Sequence, residues 1–277
     1  MTDPLIAHNG FALPVQGLGT YGFRGEAGAD AVRAGIESGY RLIDTAFNYE
    51  NEGAVGWGVS GAAVERDELI VTTKLAGRHH ERASALVTIE ESRLRLGLDV
   101  IDLLLIHWPN PSIGKYVEAW GALVEARDRG QVRQIGVSNF LPEHLERIEA
   151  ETGVRPVVNQ IELHPYFPQT DALAYHRKHG IITEAWSPLG RAGELLSEPV
   201  VQEVSNAHGL TPAQTVLAWH ATRGTVAIPK AADPAHQASN LAAAEIRLDE
   251  AEVDAITALG RADGRLFDAD PATHEEL

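Results

Sequence analysis

Asp44, Tyr49, Lys74 and His107 are an acid, a phenol, an amine and an imidazole. Together they can deliver a proton to a polarised oxygen. Three of them close apolar runs: Arg41-Leu42-Ile43-Asp44, Leu69-Ile70-Val71-Thr72-Thr73-Lys74 and Ile101-Asp102-Leu103-Leu104-Leu105-Ile106-His107. Tyr49 lies five residues past the first run. Taken singly, each has a plainer reading: Asp44 as a turn cap, Tyr49 as a loop anchor, His107 as a satisfied core histidine. Their joint placement at successive strand ends is what points to catalysis. The lysines sharpen this. The chain has four, Lys74, Lys115, Lys178 and Lys230. Lys115 and Lys178 read as solvated surface, whereas Lys74 and Lys230 end apolar strands, where a buried amine must be paired or functional.

The elements that position these groups follow from patterning. Leu5-Ile6-Ala7 and Phe11-Ala12-Leu13 flank His8-Asn9-Gly10, and Asn-Gly is a strong hairpin signal. Strand-like apolar runs then recur at residues 15–19, 41–44, 69–74, 101–107, 134–138, 157–162, 181–186 and 225–229. Helical stretches separate them. Leu86, Ile89 and Leu96 share a helical face, and Pro142 opens a later helix. Thr211-Pro212-Ala213-Gln214 reads as a capping box. Asp233-Pro234 is an N-cap followed by an N1 proline. Eight such alternations predict a single α/β domain over residues 1–277, a (β/α)8 TIM barrel. The hairpin precedes it, and an extra C-terminal helix and tail follow. On that fold the C-terminal strand ends build the active site.

A rival reading comes from Gly17-Leu18-Gly19-Thr20-Tyr21-Gly22, which matches the dinucleotide-binding glycine pattern of a Rossmann-type dehydrogenase. Asp44 lies 22 residues past its last glycine, where the ribose-binding acid would stand. Two features oppose it. Residues 23–28, with two further glycines, intervene before the expected helix, and Tyr49, Lys74 and His107 are left without roles. The glycines otherwise suit a tight first βα loop whose backbone approaches a ligand.

Bulk properties bound the function. An apolar content of 44% and a charged content of 22% over 277 residues fit a soluble globular protein. No run approaches the ~18 apolar residues of a membrane span. Met1-Thr2-Asp3-Pro4 lacks the basic and apolar regions of a signal peptide. With no cysteine, this gives the expectation of a cytoplasmic protein without disulfide or thiolate chemistry. The net charge of −16 opposes a nucleic-acid surface. His176 with His179, and His79 with His80, have no carboxylate at ligand spacing, so no metal is expected. No apolar helix face demands a partner, and a monomer is the default.

Further motifs extend the pattern. Ile43-Asp44-Thr45-Ala46 continues to Tyr49, Asn51 and Glu52. Residues 103–109, Ile135-Gly136-Val137-Ser138-Asn139-Phe140, Asn159-Gln160-Ile161-Glu162-Leu163-His164-Pro165, Ala185-Trp186-Ser187-Pro188-Leu189 and Ile228-Pro229-Lys230 follow in order. Through these six motifs, along nearly its full length, the chain resembles the aldo-keto reductases. The resemblance implies reduction of an aldehyde or ketone by hydride from a nicotinamide. Tyr49 would donate the proton, Lys74 would lower the tyrosine's pKa, Asp44 would hold Lys74, and His107 would orient the substrate oxygen. Gly19 and Thr20 would border the cofactor. Ser138, Asn139 and Gln160 would bind the carboxamide, and Trp186 would stack on the nicotinamide ring. Ser187 and Leu189 would line the pyrophosphate path. Lys230 and the amides of the helix opening at Pro234 would hold the adenosine phosphate, with His236 in the same stretch and Asn240 facing adenine. Tyr21, Phe47 and Trp108 would wall a substrate pocket.

The chain also departs from that pattern. Ala231 and His236 stand where the family usually has a serine and an arginine gripping the 2′-phosphate of NADPH, and Asp233 adds a negative charge. The expectation is therefore NADPH use through Lys230 with a small advantage over NADH. The short loop at residues 108–114 and the compact tail at residues 261–277 suggest an open pocket for varied small carbonyls, as in the bacterial 2,5-diketo-D-gluconate reductase-like branch. Beyond Arg191, read first as a surface or cofactor residue, no basic residue offers a grip for a substrate carboxylate. Two other classes stay open at this level: a nicotinamide-binding subunit with little turnover, and a Schiff-base aldolase using Lys74.

Overall fold

The computed structural model describes residues 3–276. The readings that touch Met1, Thr2 and Leu277 lie outside those residues. Two short strands, β1 (Leu5–Ile6) and β2 (Ala12–Leu13), pair antiparallel around the Asn-Gly turn. Eight parallel strands follow: β3 (Leu18–Gly19), β4 (Leu42–Asp44), β5 (Ile70–Leu75), β6 (Ile101–Ile106), β7 (Val132–Ser138), β8 (Val158–Glu162), β9 (Ile182–Trp186) and β10 (Val226–Ala227). Each pairs with the next in sequence order. Parallel bridges Gln16–Ala227 and Gly19–Lys230 join the first strand region to the last and close the ring.

Helices α1 (Gly25–Ser38), α2 (Glu52–Ser60), α3 (Arg82–Leu96), α4 (Tyr116–Asp128), α5 (Pro142–Thr152) and α6 (Thr170–His179) separate successive barrel strands. Two helices, α7 (Pro199–His208) and α8 (Pro212–Thr222), lie between β9 and β10. Then come α9 (Pro234–Ala242), α10 (Glu250–Thr257) and the tail. The anticipated capping box holds: Gln214 N–H donates to Thr211 Oγ1, and the Gln214 side chain accepts from Thr211 N–H.

A parallel strand with a helix outside and core inside must be apolar on both faces, and β6 shows it. Leu103 and Leu105 join the interior cluster with Leu42, Val158, Ile182 and Val226. Ile101, Leu104 and Ile106 join the outer cluster with Ile36, Ile89, Trp120 and Ile148. Ala7 and Leu13 of the hairpin belong to the interior cluster. Together with the early residues of the strands, they fill the end of the barrel away from the strand C-termini.

The glycine pattern finds its explanation at the seam. A Cβ at Gly17 would stand 2.8 Å from Leu42 Cγ, and one at Gly19 would stand 2.8 Å from the Ile228 carbonyl oxygen. Close packing against the neighbouring strand accounts for Gly17, and the approach at the closing seam for Gly19, which also lines the cleft described below. The expectation of a ligand-facing loop is therefore corrected for Gly17 alone. The first helix also opens earlier than expected, at Gly25, with Phe23 and Arg24 before it. The Rossmann reading fails on topology, because Gly19 is paired on both sides within a closed ring.

Candidate active site

Asp44 ends β4, Lys74 stands one residue from the end of β5, and His107 directly follows β6, its amide donating to the Leu75 carbonyl (3.0 Å). Tyr49 closes a single 3-10 turn, Phe47–Tyr49, and Glu50 reverses the chain at φ 53°. Two residues of the same signature hold this loop. Asn51 donates to the Thr20 carbonyl (2.8 Å) and accepts from Thr45 Oγ1 (2.7 Å). Buried Glu52 accepts from Thr73 Oγ1 (2.6 Å) and Arg95 Nε (2.8 Å).

Lys74 Nζ donates to both Asp44 oxygens (2.7 and 2.8 Å) and to the Thr45 carbonyl (2.9 Å), and Tyr49 Oη stands 3.5 Å away. Asp44 and Lys74 are each 1% exposed. Burial alone would lower the ammonium's pKa. The Asp44 carboxylate, paired with it directly, leads the groups that outweigh burial and push the amine up to about 12. Burial pushes the Tyr49 phenol up as well, against the pull of Lys74. This amends the expectation that Lys74 leaves the phenol more acidic than usual: its effect has that sign, but loss of water around the ring is larger. The phenol is held protonated, with a fixed positive charge beside its oxygen to support the phenolate once the proton leaves.

Gln160 binds this group from below. Its Nε2 donates to Asp44 Oδ2 and to Glu184 Oε2, both at 2.9 Å. Sequence reasoning missed Glu184, although an acid inside the apolar run of β9, two residues before Trp186 and so on the same face, was the available signal. Burial, and next the Asp44 charge, push its carboxyl up to about 8.

The cofactor-side residues form one linked layer. Asn139, at φ 61°, donates to the His107 carbonyl and to Ser138 Oγ (both 3.0 Å) and accepts from Trp186 Nε1 (2.8 Å). Ser138 Oγ in turn donates to the Gln160 carbonyl (2.9 Å). A cleft of about 710 Å³ runs over these groups. It is lined by Gly19, Thr20, Asp44, Tyr49, His107, Asn139, Gln160, Trp186, Ser187, Leu189 and Lys230, with Tyr21 and Trp108 on its walls. Lys74 and Ser138 sit one layer behind. Because Lys74 is saturated by Asp44 and Thr45 and does not line the cleft, it is no Schiff-base nucleophile.

Three expectations change. Phe47 does not line the cleft: it packs on His79 and between the guanidinium groups of Arg78 and Arg95. The N-terminal amides of α9 are not free for a phosphate. Pro234 has none, and those of Ala235 and His236 donate to Asp233 Oδ1 (2.9 and 3.1 Å). His236 and Asn240 lie on α9, outside the cleft lining, while Lys230 lines its end. The cleft is also not left open by a short tail. Phe267, Ala269 and His274 are part of its lining, with His274 packed on Trp108 at 4.3 Å and Phe267 on Trp186 at 6.0 Å between ring centres.

Among the described residues no group of three histidine, cysteine or carboxylate side chains could hold a metal ion. His176 is a core residue paired with Asn159 and Thr183.

Comparison with known proteins agrees with this layout. The family model of the aldo/keto reductases matches residues 17–261. The 2,5-diketo-D-gluconic acid reductase B of Corynebacterium sp. (strain SHS752001) is 54% identical over 267 residues, covering 96% of this chain and 95% of the relative. Methylglyoxal reductase DkgA of Escherichia coli (strain K12) is 40% identical, covering 98% of each chain. The crystal structure of a Gox0644 mutant in complex with NADPH superposes with a TM-score of 0.93 at 43% identity, covering 99% of each chain.

Proposed function

The chain belongs to the aldo/keto reductase family, and from that premise we propose that it reduces small aldehydes and ketones, including dicarbonyl and keto-sugar compounds, to alcohols. It is an NADP-dependent oxidoreductase. The cleft suits that cofactor. Trp186 is held by Asn139 as a flat apolar face, Gln160 directs its amide nitrogen away to Asp44 and Glu184, and Lys230 supplies a cation at the far end. When bound, NADPH supplies the hydride to the carbonyl carbon. Asn139, Gln160 and, from behind, Ser138 would hold the carboxamide. Ser187 and Leu189 would border the pyrophosphate, with Gly19 and Thr20 opposite.

The chain's own chemistry is the proton. Tyr49 donates it to the developing alkoxide. Lys74, kept charged by Asp44, stabilises the phenolate that remains. His107 presents its free ring edge to the substrate oxygen, and Tyr21 and Trp108 enclose the rest of the molecule. The observation that carries this reading is the buried Asp44–Lys74 pair with Tyr49 Oη 3.5 Å from the ammonium at the cleft floor.

NADPH oxidation with a reactive aldehyde, repeated with Tyr49→Phe, tests it. Loss of roughly 10²–10⁴ in kcat is expected, and undiminished turnover would overturn the mechanism. The weak grip at Ala231 and His236 supports only a modest NADPH advantage. A kcat/KM ratio over NADH above about a thousandfold would refute that part. Among the described residues no helix is long and apolar enough to cross a membrane. A monomeric, cytoplasmic enzyme is our reading, and light scattering of the purified chain tests the first term.

A further inference from the structure

The tail ends in a built site behind His107. Glu276 Oε1 stands 2.6 Å from His107 Nδ1 and accepts from Asn48 Nδ2 (2.6 Å), while its Oε2 accepts from the Gly77 amide (2.8 Å). The backbone of Glu276 is clasped as well: Asn110 Nδ2 donates to its carbonyl (2.7 Å), and its amide donates to Asn110 Oδ1 (2.9 Å). Asn110 is fully buried and sits at φ 46°. A Cβ at Gly77 would lie 2.3 Å from Asn110 Nδ2 and 2.8 Å from the Glu276 carbonyl oxygen, so the chain leaves room for this end. Glu276 does not line the cleft, but His107 does.

We propose that Glu276 is a positioning residue that holds the proton of His107 on Nδ1 and turns Nε2 to the substrate. The inference rests on the reading of His107 given above. A carboxylate oxygen at 2.6 Å would repel a bare Nδ1 lone pair, so Nδ1 carries a proton. The contact is close without being a well-aligned hydrogen bond. Nε2 is then the nitrogen left for the cleft. It donates to a carbonyl oxygen when both nitrogens are protonated, and a carboxylate complements the charge of that form. Tyr49 packs on the same ring, its ring centre 6.0 Å away, with Lys74 behind it. His107 thus stands between a phenol and an acid drawn from opposite ends of the chain.

An acceptor-only group is needed here, because three donors converge on one carboxylate. Glutamine offers one acceptor oxygen and an NH₂, so Glu276→Gln breaks at least one contact while keeping the shape. Expected is a fall of about 10- to 100-fold in kcat for the aldehyde, as for other groups that orient a functional histidine, with the Kd for NADPH unchanged and recovery in Glu276→Asp. In a His107→Gln background the same change should do nothing further. Nitrogen-15 spectra of the imidazole, assigned through His107→Gln, provide a readout independent of turnover: Nδ1 is expected to be protonated in the unaltered enzyme. Unchanged kcat in Glu276→Gln, an equal loss without His107, or a proton on Nε2 alone in the unaltered enzyme would each overturn the inference. Failure of the reductase reading would look different, as absence of NADPH oxidation by the unaltered chain or full activity of Tyr49→Phe.

Discussion

The two ends of the cleft are built on opposite principles. At the proton end, four buried side chains, Glu184, Gln160, Asp44 and Lys74, and the half-buried Tyr49 share one network, linked by contacts of 2.7 to 3.5 Å. At the adenosine end, Lys230 is an exposed amine near the ring of Phe23 (5.8 Å), and the helix behind it is capped by its own aspartate. Charge that is buried must be fixed by partners, because each unpaired group would cost several kcal/mol. Charge in water can be weak, replaceable and tunable. On the proposed reading the chemistry is therefore over-determined, whereas the choice of cofactor is left to a few solvated groups.

The largest expected effect tests the first half of this contrast. Lys74→Met should leave Asp44 ionised, buried and short of its main partner, at a cost of about 3–5 kcal/mol in urea unfolding, and should reduce turnover at least as far as Tyr49→Phe. A variant that unfolds like the parent would mean that Asp44 is easily relieved, by protonation or by water. Glu184 gives a second test. Its carboxyl is pushed up to about 8 by burial first and then by the Asp44 charge. The fold therefore holds a proton that the unfolded chain releases near its ordinary value of 4.5. Stability from this group is full below that value and is lost as pH rises toward 8. Glu184→Gln mimics the protonated form, so melting temperatures of parent and variant should diverge progressively from about pH 4.5 to about 8, by an amount worth a few kcal/mol. Parallel curves would show that Glu184 is already ionised in the fold.

The same division explains which features the sequence makes legible. Strand ends are legible because apolar runs close at or within a residue of Asp44, Lys74 and His107, and motif order then suggests the roles proposed for them. The hairpin, the Thr211 box and the Asp233 cap are legible because capping and turn chemistry is local. Glu184, Glu276 and the true work of Gly17 and Gly19 are not. Each depends on a partner far away in sequence: Asp44 through Gln160, His107, and for the glycines Leu42 on the neighbouring strand and Ile228 across the seam. Phe47 is misplaced by sequence reasoning for the same cause, since its position in the signature says nothing of Arg78 and Arg95, which draw the ring aside.

On the adenosine end, a third test adds what the chain lacks. Ala231→Ser with His236→Arg supplies a hydroxyl and a guanidinium near Lys230. A charge-assisted hydrogen bond is worth about 1.5–3 kcal/mol, so the kcat/KM ratio of NADPH to NADH should rise about tenfold or more, with kcat for NADPH little changed. A ratio that stays put would indicate that α9 does not face the 2′-phosphate.

The smallest effect is the most diagnostic, because on the proposed reading Asp233 acts with opposite sign on the helix and on the cofactor. As the N-cap of α9 it accepts from the amides of Ala235 and His236, and its removal in Asp233→Ala should cost about 1 kcal/mol of stability. The same change frees those amides and removes a negative charge beside Lys230. NADPH binding should then tighten by a few tenths to about 1 kcal/mol, the scale of a helix N-terminus acting on an anion, while NADH binding stays level. Fluorescence titration of both cofactors beside a thermal melt separates the two terms. A variant that melts earlier and grips NADPH better would mean that helix stability is set against phosphate affinity at this residue. One that melts earlier and loses both cofactors equally would mean that α9 must be intact before any cofactor binds, and the contrast between a rigid proton end and a tunable adenosine end would have to be redrawn.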